Sequence, residues 1–226
     1  MSKNQTFITI FLIALTFILF INNKSTYVYK TYKHTLSRNA PTTIVFVPGL
    51  GLQAKDYGYL INHLKDDNYQ IITYTSKDTQ ITNYQITVDK WTKAIGTLIG
   101  NRKVIVIGHS VGGSVAVHFC STDKRCIAGI NLDGGADFDE KLTVPFLYIQ
   151  ADLGNYCDDQ CIKGRALMEK IATQPGVHLV HITGIKHYNF TDLRTDSLKN
   201  QDYLGTIDGR DIIYTNIHTF LSKLPK

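Results

Sequence analysis

One stretch constrains this chain more than any other: Val104 to Ala116, reading VIVIGHSVGGSVA. Four residues suited to a buried strand run into Gly108-His109-Ser110-Val111-Gly112, and a small-residue stretch of helical character follows. A strand that turns straight into a helix through G-x-S-x-G holds its serine on a tight bend, where flanking glycines let the backbone turn and a substrate carbonyl approach. Ser110 is therefore the candidate nucleophile. The amide of Val111, at the helix start, points toward the oxygen on which negative charge develops during acyl transfer, which makes it the first oxyanion-hole candidate.

Around this turn the chain alternates short β-branched runs with longer amphipathic stretches, the pattern of a parallel α/β sheet. Strands are expected at Thr42 to Val47, Tyr69 to Thr75, Val104 to Ile107, Ile127 to Leu132, Pro145 to Gln150 and Val177 to Ile182. The pattern predicts helices at Tyr57 to Lys65, Val88 to Ile99, Gly113 to Cys120 and Asp158 to Thr173, with a last one near Ile212 to Leu221. The fold class is α/β: a mainly parallel, twisted sheet with helices on both faces. At 226 residues the chain suits one catalytic domain, placed at residues 41–226, because a chain of this size buries roughly three quarters of its unfolded surface. The stretch from Asp133 to Pro145 is too short for a large cap domain, so an open active site is expected.

A serine hydroxyl is a weak nucleophile until a base takes its proton, and in this architecture the base is a histidine late in the chain. His187 fits, just beyond the strand-like run VHLVHI. His178 and His181 lie inside that run, His118 falls on the helix after the serine, and His109 is expected to point away from the site. His34, His63 and His218 are scattered elsewhere. A second oxyanion donor is expected where Val47-Pro48-Gly49-Leu50-Gly51 ends the first strand, with Leu50 N–H as the candidate.

Two aspartates compete to orient the imidazole. Asp133 ends the run Ile127 to Leu132 and Asp152 follows the run Pro145 to Gln150, and both occupy carboxyl ends of strands, where ligands collect in open α/β sheets. Neighbouring strands lie only about 5 Å apart, so either carboxylate could reach one histidine. The generic chain order of Ser, acid and His in this architecture favours Asp152.

The chain resembles the platelet-activating-factor acetylhydrolases of plasma type and their bacterial relatives, within the α/β-hydrolase superfamily. The likeness rests on Gly108-His109-Ser110-Val111-Gly112-Gly113, Gly129-Ile130-Asn131-Leu132-Asp133-Gly134, Pro145-Phe146-Leu147-Tyr148-Ile149 and His187-Tyr188-Asn189-Phe190-Thr191-Asp192, and runs from about Thr42 to the C-terminus. It implies an α/β-hydrolase fold and a serine hydrolase that works without cofactor or metal. By that resemblance the acid is Asp133, with Asp152 as the alternative. The family's oxyanion turn usually reads H-G-L-G; here Pro48 stands in place of the histidine, while Gly49, Leu50 and Gly51 remain. The implied reaction is cleavage of carboxylic esters through an acyl-enzyme, on short or oxidised acyl chains of phospholipids. The alternatives are a general carboxylesterase or lipase, a polyester hydrolase, or a hydrolase-like binding protein without turnover. A dienelactone-hydrolase-like enzyme would want cysteine where Ser110 stands.

Phe7 to Ile21 form an apolar run preceded by Lys3, the layout of an export signal, and no small-x-small cleavage site follows. Residues 1–24 are read as a signal peptide or membrane anchor and 25–40 as a linker, giving a secreted, periplasmic or membrane-anchored protein. Small-molecule or lipid esters are the expected partners. A net charge of +5, with basic residues spread along the chain, speaks against nucleic acid. In an exported domain Cys120 and Cys126, and Cys157 and Cys161, are close enough to form local disulfides; in a reducing compartment they would be four thiols.

Overall fold

The computed structural model describes residues 42–74, 76, 83–136, 139–155 and 157–225. The expected leader (1–24) and linker (25–40) lie outside the described residues. Six apolar runs become strands: β1 (Thr43–Val47), β2 (Gln70–Thr73), β3 (Val104–His109), β4 (Cys126–Leu132), β5 (Phe146–Ala151) and β6 (Val177–Ile182). They form one sheet in the order β2-β1-β3-β4-β5-β6, with every pairing parallel. The helices are α1 (Gly58–Asp66), α2 (Tyr84–Ile99), α3 (Val111–Thr122), α4 (Asp159–Ile171), α5 (Asp196–Asn200) and α6 (Arg210–Ser222).

Strand alternation divides the core between the two faces of the sheet. Val45 and Val47 face a cluster that includes Trp91 and Ile95 of α2, Val115 and Phe119 of α3, and Met168 of α4. Ile44 and Phe46 face the other cluster, with Leu60 and Leu64 of α1 and Ile217 and Phe220 of α6. Strands covered on both sides read as continuous apolar runs, and β1 is buried at every position.

Some elements start or end a few residues from the expected boundaries. Helix α2 begins at Tyr84 rather than Val88 because the Asn83 side chain accepts the Ile86 amide at 3.0 Å, and so opens the helix a turn early. Helix α3 begins at Val111 rather than Gly113, directly after the serine. The short α5 has too few residues to show a periodic signal; Thr195 caps it through the Leu198 amide. Asp67, at the end of α1, accepts from the Tyr214 hydroxyl at 2.9 Å and so ties α1 to α6.

The sheet order reverses at β1 and β3, which are neighbours although β2 lies between them in sequence. The crevice at the carboxyl ends of the strands on either side of such a switch is where open α/β sheets bind ligands. Among the described residues between β4 and β5, 133–136 and 139–145, there is no helix or strand to cap that end. Among the described residues no helix is long and apolar enough to cross a membrane.

Candidate active site

Ser110 sits between β3 and α3 with φ 58° and ψ −126°, a backbone conformation that costs a non-glycine residue about 1–3 kcal/mol. Its neighbours explain how the turn closes. A Cβ on Gly108 would come within 1.9 Å of the Gly112 carbonyl oxygen, and one on Gly112 within 2.1 Å of the Val47 carbonyl oxygen. With hydrogen at both positions, α3 rises straight off the strand and packs against the end of β1. Val111 opens α3, so its amide is among the first-turn N–H groups that have no partner within the helix.

The turn after β1 lies against the same bend: a Cβ on Gly49 would be 3.2 Å from Ser110 Cβ. The Gly49 carbonyl accepts the Leu52 amide at 3.1 Å. In a planar trans peptide this directs the Leu50 N–H to the opposite side.

His187 opens a 3-10 turn, His187–Phe190, after β6, and its Nδ1 donates to Asp133 Oδ2 at 2.8 Å. The Asp133 side chain is 1% exposed, and its other oxygen accepts the Ala151 amide at 2.9 Å and Arg165 Nη1 at 3.1 Å. Arg165 Nη2 in turn donates to the Ala151 carbonyl at 2.6 Å. A buried carboxylate needs its charge compensated, and a guanidinium with a backbone amide does this while leaving Oδ2 to the imidazole. Asp133 itself has φ 53°, allowed by the adjoining turn in which Asn131 Oδ1 accepts the Gly134 amide at 2.7 Å. That contact accounts for Asn131 in the Asn-Leu-Asp-Gly block.

Asp152 is engaged elsewhere. Its Oδ1 accepts from His181 Nε2 at 2.9 Å and its Oδ2 from the Gly184 amide at 2.7 Å. It therefore pins the turn that leads from β6 toward His187, and does not contact His187 itself. The fold brings to the histidine Asp133, the acid that the resemblance implies, and not Asp152, which the generic chain order favours.

Ser110, Asp133 and His187 line one cavity of about 370 Å³, together with Tyr84, Gly134, Gly135, Ala136 and the first turns of α4 from Asp158 to Arg165. The disulfide Cys157–Cys161 staples the start of α4, and Cys161 is part of the cavity wall. The second disulfide, Cys120–Cys126, joins the end of α3 to the start of β4. Among the described residues no group of three or more His, Cys, Asp or Glu could hold a metal ion.

Among the described residues the remaining histidines have structural partners, and His34 lies outside them. His118 lies between Glu140, at 2.6 Å from Nδ1, and Asp89, at 3.2 Å from Nε2. His63 Nδ1 contacts the Tyr59 carbonyl at 2.8 Å, and the His178 ring meets Phe220. His109, expected to point away from the site, is instead fully buried beside His187, with ring centroids 4.6 Å apart. Sequence reasoning also missed Arg165. Its signal was present: Arg165, Met168 and Ile171 share the buried face of α4, so a charge stands in an apolar stripe and needs a partner.

A family model described as the alpha/beta hydrolase fold matches residues 42–156, half of the chain. A platelet-activating factor acetylhydrolase from Cavia porcellus is 28% identical over 95 residues, which cover 40% of this chain and only 21% of that relative. Among solved structures, a ferulic acid esterase from Streptomyces cinnamoneus superimposes with a TM-score of 0.64 at 18% identity, covering 81% of this chain and 67% of that one. A predicted CIB-like hydrolase from Thermoplasma acidophilum does so with a TM-score of 0.60 at 12% identity, covering 84% and 90%. The parallel sheet, the serine on its strand-to-helix bend and the family match together place the chain in the α/β-hydrolase family.

Proposed function

We propose that this protein is a serine hydrolase of carboxylic esters, with Ser110 as nucleophile, His187 as general base and Asp133 as the acid that orients it. The observation that carries the reading is the 2.8 Å bond from His187 Nδ1 to Asp133 Oδ2 in a cavity that Ser110 also lines. Because Nδ1 donates to the carboxylate, Nε2 of the neutral ring holds the lone pair and can take a proton.

In the reaction so read, Ser110 Oγ attacks the ester carbonyl while His187 Nε2 accepts the hydroxyl proton. The carbonyl oxygen becomes an oxyanion held by the amides of Leu50 and Val111. Collapse breaks the ester bond, the alcohol leaves with the proton from His187, and an acyl-serine remains. Water attacks that acyl group, losing its proton to His187, and the carboxylic acid departs as Ser110 recovers its hydrogen. Asp133 stays ionised throughout and stabilises the imidazolium. No step calls for a metal or cofactor.

Short or oxidised acyl chains on a phospholipid are the substrate class suggested by the likeness to platelet-activating-factor acetylhydrolases, and a cavity of about 370 Å³ suits a short acyl group. Export or anchoring through residues 1–24 is part of the same reading, and the two disulfides support it because such bonds persist in oxidising compartments. A fluorophosphonate probe tests the nucleophile: covalent labelling at Ser110 is expected, and a folded protein that does not label is a binding protein instead. Nitrophenyl esters from acetate to palmitate then order the acyl preference. Thiol counting on protein from its native compartment is expected to find no free thiol, and four would remove the export reading's support.

A further inference from the structure

We propose that Tyr57 and His109 are positioning residues that tie the turn carrying the Leu50 amide to the turn carrying the His187 ring, an inference that rests on the serine-hydrolase reading above. The basis is a buried chain of three hydrogen bonds. The Gly49 amide donates to the Tyr57 hydroxyl at 2.9 Å, that hydroxyl meets His109 Nδ1 at 2.8 Å, and His109 Nε2 meets the His187 carbonyl oxygen at 2.9 Å.

Chemistry leaves this chain one arrangement of protons. A carbonyl only accepts, so His109 Nε2 must carry a hydrogen. Burial, and then the nearby His187, pushes His109 well below the ordinary histidine range, so the ring is neutral and its Nδ1 is an acceptor. Tyr57 therefore donates to Nδ1, and burial keeps the phenol protonated by raising it well above its ordinary value. The lone pairs of that same oxygen receive the Gly49 amide, which can only donate. Each link points in one direction, from the turn after β1 to the 3-10 turn after β6.

Ring packing stiffens the chain. Phe46 meets Tyr57 at 4.8 Å between centroids, Tyr57 meets His109 at 5.6 Å, and His109 lies 5.5 Å from Phe190, the last residue of the 3-10 turn. Ser110 follows His109 directly, so one strand end carries both the nucleophile and the strut between its two assistants. The strut acts through geometry, by holding the two turns in place: small displacements of a catalytic group can cost about 10²-fold in turnover.

The test begins with fluorophosphonate labelling of the full wild-type chain. Labelling at Ser110 supports the underlying reading, and its absence removes that reading and the strut's role with it. In a labelled enzyme, Tyr57→Phe keeps the ring and loses only the hydroxyl. We expect kcat for a short nitrophenyl ester to fall about 10- to 100-fold, with KM within about twofold. Two buried partners are then left unpaired, so its Tm should fall by several degrees, at about 2–4 °C per kcal/mol, with the fold retained. His109→Phe should lose a similar amount, while His109→Gln, able to donate toward the His187 carbonyl, should recover part of it. Wild-type kcat in Tyr57→Phe overturns the proposal, as does a loss of kcat that simply tracks Tm across the three variants. If His109→Phe does not fold, Tyr57→Phe decides alone.

Discussion

Asp133 and Asp152 stand one strand apart at the same end of the sheet, and they differ in almost everything that matters to chemistry. Asp133 has a side chain 1% exposed, compensated by Arg165 and the Ala151 amide, and it holds the His187 ring. Asp152 has a side chain 28% exposed, faces His181 and the Gly184 amide, and shapes the turn leading toward His187. One carboxylate meets the imidazole and the other meets the backbone that delivers it. Position at a strand's carboxyl end is thus common to both, and only the direction of the side chain separates an orienting role from a supporting one.

The comparison needs a floor, and Ser110→Ala supplies it. Loss of a triad nucleophile lowers turnover on the order of 10⁶-fold, and the measurement is kcat on a short nitrophenyl ester. Retained activity in the folded variant would dissolve the comparison altogether. Against that floor, Asp133→Asn is expected to lose roughly 10⁴-fold, because an amide keeps the shape but cannot stabilise the imidazolium.

Arg165→Met sharpens the contrast through stability rather than rate. Removing one partner of a buried ion pair leaves Asp133 partly uncompensated, at a cost of about 3–5 kcal/mol by urea unfolding. Adding Asp133→Asn to Arg165→Met should recover part of that loss. A double variant less stable than the sum of the single changes would mean that the pair is not the source of the effect. The smallest effect is expected at Asp152→Asn. The amide oxygen can still accept the Gly184 hydrogen, and the exposed pair with His181 is worth less than about 1 kcal/mol. Turnover should stay within about threefold of wild type. Collapse there with near-normal turnover in Asp133→Asn would reverse the assignment.

Much of this was legible before the fold. The strand-to-helix turn at Ser110 is visible because its chemistry demands small residues at fixed local spacing, and the same holds for Gly49-Leu50-Gly51. His187 is visible because it stands in a loop after an apolar run, with no packing role to explain it. Arg165 and Tyr57 were overlooked for opposite reasons. Arg165 shows as a charge within an apolar helix face, but its partner is 32 residues away. Tyr57 looks like any aromatic residue at the start of an amphipathic stretch, and its role depends on His109, 52 residues later.

The sequence by itself determined the class of sheet, the bend that presents Ser110 and the region that supplies the histidine, because each follows from local sterics or from apolar runs a few residues long. Between the two aspartates on neighbouring strand ends, chain order favoured Asp152 and the family resemblance Asp133, and the tertiary structure brings Asp133 to His187 because the returning loop delivers the ring to that strand end. Tertiary structure decided also that His109 turns inward to a backbone carbonyl 78 residues away, against the local expectation that it points elsewhere. Hydrogen-bond partners brought together by a crossover leave no periodic trace in sequence. Burial then makes them obligatory, because a polar group sealed from water must find its partner within the fold.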